Sequence, residues 1–398
     1  MNKINSGKNN FRIGIFTDSY HPYISGVVRS IELLKEELES RGHEAFIFAP
    51  NYPSASQSPE KNVFRYFSIP APTQRNFFLP IPLSPRLPFL VNTLKLDVVH
   101  VHTPFLLGSL GTIIAKRFNL PLIFTFHTLY HFYAHYLPFG KNVSAEIIKK
   151  WNKGFCNRCD LIIAPSLFVK TLMEEYGITK PVDVIPTGIN SAYYSANHGS
   201  REWLKERFNL NHKDRILLYV GRLGKEKNIN FLIEAMEDIA ITMPHVKLLI
   251  VGTGAEESSL KLLCYRKNLQ QNVLFCGQVS HSELLKCYAG ADIFTFPSQS
   301  ETQGLVVGEA KAAGLPVVCR YSPCLSEMIF NDKDGFLVHT LQGFIEKIKY
   351  LLENEPLRDA MGKRGKINAI RYSSEMLTKE MLLRYQRVIE DKKTTLLV

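Results

Sequence analysis

The sequence predicts an α/β protein in which two doubly wound domains face a cleft. Three observations carry that expectation. Short apolar runs of strand length alternate with stretches of helical periodicity along almost the whole chain. The alternation starts afresh after Tyr194, giving two successive β/α series of similar length. The chain has 398 residues, more than one ordinary core holds.

In the first series, Arg12–Phe16 reads as a strand. Val27, Val28, Ile31, Leu34 and Leu38 then form the apolar stripe of a helix that stops near Gly42. Ala45–Ala49, Val98–Val101, Leu122–Phe126, Leu161–Ala164 and Val182–Ile185 read as further strands. Their continuous apolar character suits a parallel sheet covered on both faces. In the second series Arg215–Val220 is a strand, Ile229–Ile241 a helix, Lys247–Val251 a strand and Leu260–Lys267 part of a helix. Val273–Phe275, Ile293–Phe296, Pro316–Cys319 and Phe336–Val338 supply more strands. The boundary is expected near Pro186–Tyr194, dividing the chain into domains 1–190 and 191–373. The remainder, 374–398, carries a long helix from Ser374 to Asp391 that is expected to cross back to the first domain.

Composition narrows the class. The chain is 45% hydrophobic and 21% charged, without low-complexity tracts. No apolar run approaches the roughly 18 residues that a membrane span needs. The start, MNKINSGKNNFRIGIF, lacks the long apolar segment of a secretory signal, so a cytoplasmic address is expected. Seven cysteines fit reduced thiols. Cys156-Asn-Arg-Cys159 has no second pair or histidines beside it, and reads as thiols at a helix end rather than a zinc site.

The net charge is +11, and residues 1–190 hold 20 Lys and Arg against 13 Asp and Glu, leaving +7 there. Lys61 to Leu96 has five basic residues and no acid, interleaved with Phe64, Tyr66, Phe67, Phe77, Phe78 and Phe89. No nucleic-acid-binding motif accompanies this charge. An anionic membrane surface explains the interleaving, the alternative being a polar loop with buried aromatics.

Candidate chemistry centres on SETQGLVVGEA, residues 300–310. A helix starting at Gln303-Gly304-Leu305-Val306 would leave its first N–H groups free, and Gly304 would let an anion approach them closely. Glu301 would precede the helix and Glu309 would lie inside it, roughly 7.5 Å further along the axis. A diphosphate with a hydroxyl-bearing group at each end fits this order, each carboxylate accepting hydroxyl protons. A surface glutamate and a helix-dipole glutamate are the plain alternative. Arg222 and Lys227 follow the Arg215–Val220 strand, where an open α/β sheet exposes its ligand crevice. Two cations there could neutralise a diphosphate and stabilise it as a leaving group; solvated surface is the alternative.

Other motifs are weaker. Gly252-Thr-Gly254 resembles part of a dinucleotide fingerprint, but Glu257 stands where the third glycine would fall. Asp332-Lys-Asp334, followed by Gly335, reads as a turn rather than a metal site. Gly26, near a helix start, suits either close approach by phosphate or a turn. His127 falls at the end of the Leu122–Phe126 strand, and Tyr130, Tyr133, His135 and Tyr136 follow it, suggesting a polar, aromatic-lined pocket.

Together these residues resemble the retaining GT-B glycosyltransferases of family GT4, over nearly the whole chain. The most specific elements are Glu301-x7-Glu309 with Gln303-Gly304-Leu305 inside it, Gly221-Arg222…Lys227, and Ser25-Gly26-Val27. Family members usually carry Gly-Gly in that last loop, where this chain has Ser25. The resemblance implies a nucleotide diphosphate sugar donor held by the second domain. Glu301 would bind the transferred sugar, Glu309 the ribose, and Arg222 and Lys227 the diphosphate, helped by the backbone of Gly304, Leu305 and Val306. Phe275–Gln278 would lie near the base, and His127 would be the active-site histidine. Within the family, the run His127-Thr-x-Tyr130-x-x-Tyr133-x-His135-Tyr136 is similar to the diacylglycerol glucosyltransferases. That branch implies UDP-glucose as donor, a lipid acceptor with Tyr130, Tyr133 and His135 near its pocket, and peripheral attachment to the inner membrane face. No cofactor and no obligatory metal are expected. The rival readings are a transferase for another acceptor, for instance a mannosyltransferase, a nucleotide-sugar epimerase, and a non-catalytic nucleotide-sugar binding protein.

Overall fold

A computed structural model describes residues 10–53, 60–72, 74–85, 87–129, 145–194 and 200–395. The chain divides into two compact units, one of Met1–Gly188 with Ser374–Val398 and one of Ile189–Ser373.

The first unit contains β1 (Arg12–Phe16), β2 (Glu44–Pro50), β3 (Val63–Tyr66), β4 (Ser68–Ala71), β5 (Gln74–Pro80), β6 (Val98–Val101), β7 (Leu122–Thr125), β8 (Leu161–Ala164) and β9 (Val182–Val184). Seven of these form a parallel sheet in the order β3-β2-β1-β6-β7-β8-β9, while β4 and β5 pair separately as an antiparallel hairpin. Side chains alternate across β1 with period two. Phe16 joins one core with Phe48, Val101, Phe124 and Phe155. Ile13 and Ile15 join the other with Ile31, Ile47 and Ile123, and there Met381, Tyr385 and Val388 of the helix Ser374–Thr395 complete it.

The second unit contains β10 (Arg215–Val220), β11 (Val246–Val251), β12 (Val273–Gly277), β13 (Ile293–Phe296), β14 (Val317–Arg320) and β15 (Gly335–Val338). They form one parallel sheet, ordered β12-β11-β10-β13-β14-β15. Both units are therefore doubly wound. The strand order reverses between β1 and β6 in the first and between β10 and β13 in the second, and the carboxyl ends at such a reversal form a crevice.

The same device fixes register at both reversals. Asp97, one residue before β6, accepts the N–H of Arg12 on β1 at 2.8 Å. Asp292, one residue before β13, accepts the N–H of Ile216 on β10 at 2.7 Å and is itself clamped by Arg201 at 3.1 Å. Asp160, before β8, does the same for Leu122 on β7 at 2.8 Å. With the amino ends pinned in this way, the loops at the carboxyl ends are held in a defined relation.

The two β/α series and their parallel sheets match the sequence expectation, with strand ends shifted by one or two residues. Three strands were not anticipated: β3, β4 and β5 lie inside the basic, aromatic Lys61–Leu96 stretch. Its aromatics divide accordingly. Phe64 stacks on Phe48 and Tyr66 is buried, whereas Phe67 and Phe89 are 72% and 78% exposed. Arg65 is spent internally, donating to the carbonyls of His21 and Pro50 and pairing with Glu60. The surface reading of that stretch thus loses Arg65, Phe64 and Tyr66 and keeps the rest of its exposed side chains. Cys156 and Cys159 are both free thiols buried in the core, and burial pushes the Cys156 thiol up to about 12. No described helix is long and apolar enough to cross a membrane.

Candidate functional site

In the second unit, the loops after β10 and β13 meet at the strand-order reversal. β10 delivers Gly221-Arg222-Leu223, and a tight turn, Lys225–Lys227, follows. Two glycines brace this loop from β11. A Cβ on Gly252 would stand 2.0 Å from the Gly221 carbonyl oxygen, and one on Gly254 2.3 Å from that of Leu223. The backbones bond directly, with Gly221 N–H to Val251 O at 3.0 Å and Leu223 N–H to Thr253 O at 2.9 Å. The Gly252-Thr-Gly254 pair therefore serves close packing of the loop that carries Arg222. The end of β12 borders the same loops, Gly252 N–H donating to Gly277 O at 2.8 Å.

The charged groups converge here. Lys227 Nζ lies 2.6 Å from Glu301 Oε1, both side chains being 14% exposed, although 74 residues separate them in sequence. Arg222 pairs with Glu226 at 2.8 Å. The Ser300 hydroxyl donates to the Glu226 carbonyl at 3.2 Å, tying one loop to the other. Burial pushes the Glu301 carboxyl up, but the charge and hydrogen bond of Lys227, with Ser298 and Arg222, outweigh it and hold the group below its usual value. Glu301 is thus a carboxylate, kept ionised in a water-poor setting by the cations beside it.

The helix Leu305–Ala312 begins immediately after. Its N-cap, Gly304, has φ +82° and provides no side-chain hydrogen bond. The N–H groups of Leu305 and Val306, its first two residues, thus lie in the first turn, where the helix has no intrahelical acceptor and carries the positive end of its dipole. Gln303 is buried just before it. Glu309 is the fifth helical residue, 7% exposed, and accepts a hydrogen bond from the Tyr288 hydroxyl at 2.9 Å. Tyr288 itself is fully buried, and burial together with the Glu309 charge raises its phenol far above the ordinary value. It therefore acts as a fixed donor that orients the carboxylate.

Asp332-Lys-Asp334 is a turn, with Asp332 at φ +62°. Asp334 is spent on buried Lys311 at 2.8 Å and on Asn368 at 2.7 Å. No group of His, Cys, Asp and Glu suited to a metal ion occurs among the described residues.

In the first unit, the Ser25 hydroxyl caps the helix Gly26–Ser40, accepting from Val28 N–H at 3.3 Å. At Gly26 a Cβ would meet no atom within 4 Å, so the fold itself does not require glycine there. His127 follows β7, and its Nε2 lies 2.9 Å from Nδ1 of His102, which follows β6. Burial pushes the His127 imidazole down to about 4, and burial with the neighbouring histidine charges holds His102 well below its usual value. His100 is bonded on both nitrogens, to the Tyr385 hydroxyl and to Thr125 Oγ1, each at 2.7 Å. Asp18, after β1, accepts from Leu107 N–H at 2.8 Å and from the Thr103 hydroxyl at 2.6 Å. Burial lifts its carboxyl to about 6 against those bonds. Tyr130, Tyr133 and His135 lie outside the described residues.

Glu226, Tyr288, His100, His102 and Asp18 were not among the sequence candidates. His100-Val-His102 carried a signal: polar rings at alternate positions, one within and one just after a strand that is otherwise apolar and buried.

Residues 24–193 match Glycosyltransferase Family 4, and residues 200–368 match Glycosyl transferases group 1. Over 389 residues the chain is 30% identical to the alpha-monoglucosyldiacylglycerol synthase of Acholeplasma laidlawii, spanning 95% of this chain and 98% of that protein. Its identity to the synthase of the same name from Streptococcus pneumoniae is 34% over 340 residues, covering 84% of this chain and 77% of the relative. Among solved structures, Anabaena HepE in complex with UDP and glucose superposes with a TM-score of 0.77 at 19% identity, covering 94% of this chain and all of that one (100%). The chain is a GT-B glycosyltransferase and belongs to glycosyltransferase family 4.

Proposed function

We propose that this enzyme transfers glucose from UDP-glucose to the free hydroxyl of diacylglycerol, with retention, giving an α-glucosyl diacylglycerol at an anionic membrane surface. The observation that carries the donor half is the convergence of Arg222, Lys227 and Glu301 beside the uncapped start of the helix Leu305–Ala312. Two cations and a helix N-terminus suit a diphosphate. A carboxylate held ionised against burial suits a sugar hydroxyl, and Glu309, oriented by Tyr288, suits the ribose. Gln303, Gly304, Leu305 and Val306 line the phosphate approach, and Gly26 gives a second open approach in the first unit. The acceptor half rests on the two relatives named as monoglucosyldiacylglycerol synthases. A uridine nucleotide is favoured by the HepE complex with UDP and glucose.

In the proposed step, the bond from the sugar C1 to the β-phosphate oxygen breaks, and UDP leaves toward Arg222 and Lys227. The acceptor oxygen bonds to C1 on the same face, and its proton passes to a phosphate oxygen of the leaving group. The products are UDP and the glucolipid, with no covalent sugar–enzyme intermediate. Arg222, Lys227 and the helix N-terminus stabilise the charge that grows on the diphosphate. His127 serves as the catalytic group from the first unit. No cofactor is required, and full activity is expected after exhaustive chelation; loss of activity restored by a divalent metal would contradict this.

Docking to the bilayer is assigned to exposed Phe67, Ile69, Leu83 and Phe89 with the nearby basic residues Lys61 and Lys95. Each cation near an anionic surface contributes about 1 kcal/mol. The deciding experiment offers UDP-glucose, UDP-galactose and GDP-mannose to the protein with diacylglycerol vesicles and reads the lipid products by mass. A hexosyl diacylglycerol from UDP-glucose is the expected product. Transfer only to other acceptors, or conversion of the donor without any acceptor, would overturn the reading.

A further inference from the structure

The histidines behind His127 define which of its ring nitrogens carries the proton. Burial keeps His102 and His127 neutral at neutral pH, so each ring has one N–H and one bare lone pair. The 2.9 Å bond between His102 Nδ1 and His127 Nε2 holds a single proton, which leaves two arrangements. If His127 Nε2–H donates, His102 must carry its own proton on Nε2. If His102 Nδ1–H donates, its Nε2 is a bare acceptor and the proton of His127 sits on Nδ1.

The environment of His102 Nε2 separates the two. His102 is 1% exposed, and its Nε2 has no hydrogen-bond partner among the described residues. A buried N–H without an acceptor is rarer and more costly than an under-used acceptor. His100 cannot relieve it, because both of its nitrogens are engaged by Tyr385 and Thr125. His102 also packs against both other rings, its centroid 4.2 Å from that of His100 and 5.1 Å from that of His127. It lines a small cavity with Ser30, Thr125 and Thr187.

We propose that His102 is a positioning residue that fixes His127 in the tautomer protonated at Nδ1. His127 then enters the reaction as a hydrogen-bond donor to an oxygen, and its Nε2 lone pair, already occupied by His102, is closed to proton abstraction. This second statement rests on the transferase role proposed above for His127; the tautomer itself does not.

The test is ring-nitrogen NMR on the full-length protein labelled at histidine, with His127→Ala supplying the assignment. The wild type should show His127 protonated at Nδ1. In His102→Leu the His127 signal should shift toward the other tautomer. Turnover should fall about 10- to 100-fold, the range seen when a histidine loses its orienting partner, while KM for the donor changes less than about threefold. His102→Asn, whose amide N–H occupies the place of Nδ1–H, should restore both the tautomer and turnover. A wild-type His127 protonated at Nε2 overturns the proposal, and so does an unchanged tautomer in a folded His102→Leu protein. If that variant does not melt cooperatively, the wild-type spectrum decides alone. An Nδ1 tautomer in a protein that transfers no sugar would sink the function and leave the assignment of His102 standing.

Discussion

Replacing Glu301 with glutamine keeps the side chain's size and removes the charge that Lys227 neutralises across 2.6 Å. If the carboxylate accepts a sugar hydroxyl in the transition state, the loss is one charge-assisted hydrogen bond, about 1.5–3 kcal/mol. At about 1.4 kcal/mol per decade, turnover should fall roughly 10- to 150-fold. UDP lacks the transferred hexose that Glu301 would hold, so its affinity should stay within about threefold, measured by calorimetry.

Stability offers a second readout with a defined sign. The folded Glu301 carboxyl titrates below its ordinary value of 4.5. Its contribution is therefore complete above that pH and is lost as pH falls through the lower folded value. The melting temperatures of wild type and variant should differ most near neutrality and converge in acid. The pair is only partly exposed, so the difference should lie between that of an exposed and a buried pair, roughly 1–3 kcal/mol. Equal losses in turnover and UDP affinity would refute the sugar-binding role and leave Glu301 as a strut for Lys227.

Gly26→Ala should leave melting unchanged or raise it, by up to about 0.5–1 kcal/mol for alanine in place of helical glycine, because a Cβ there meets no atom within 4 Å. Transfer should nevertheless drop at least about tenfold if an anion approaches that backbone; undiminished activity would remove Gly26 from the site. Gly304→Ala places a side chain at φ +82° and 2.5 Å from Leu325, so about 1–3 kcal/mol of strain and clearly weaker UDP binding are expected. Unchanged melting and unchanged UDP affinity would show that the helix start is not the phosphate site. Phe67→Ser combined with Phe89→Ser should shift melting little, within about 0.5 kcal/mol per exposed site, while co-sedimentation with anionic vesicles falls several-fold. Undiminished sedimentation would move the docking surface elsewhere.

The parts of the fold legible in the sequence were those whose signal is local. β1, β6, β8 and β13 are short apolar runs bounded by turns, and such runs announce strands buried on both faces. β3 to β5 were hidden because Pro70 and Pro80 and a partly polar alternation mask their period, and only pairing with neighbours makes them strands. In the candidate site, Glu301, Glu309, Arg222, Lys227 and His127 are visible as polar residues in or beside the loops that follow strands, but their positions alone leave solvated surface as an equal reading, and their roles come from the family resemblance. What remained invisible was partnership. Nothing local links Lys227 to Glu301 74 positions away, or Tyr288 to Glu309. Glu226 pairs with Arg222 only because the tight turn brings the two side chains together. His102 gains its meaning only from His127, 25 positions away in sequence and hydrogen-bonded to it at 2.9 Å.

The helix Ser374–Thr395 buries Met381, Tyr385 and Val388 against Ile13, Ile15 and Ile31, although the whole second unit intervenes in the chain. During synthesis, the second unit is complete at Ser373, while the first still lacks one wall of its core and the partner of His100. The unit that begins first must therefore finish last. Until the final helix emerges, an apolar trough over its sheet stays open to solvent, a period when chaperones or premature self-association would act. Shortening the chain to end at Ser373 would make that vulnerable interval permanent.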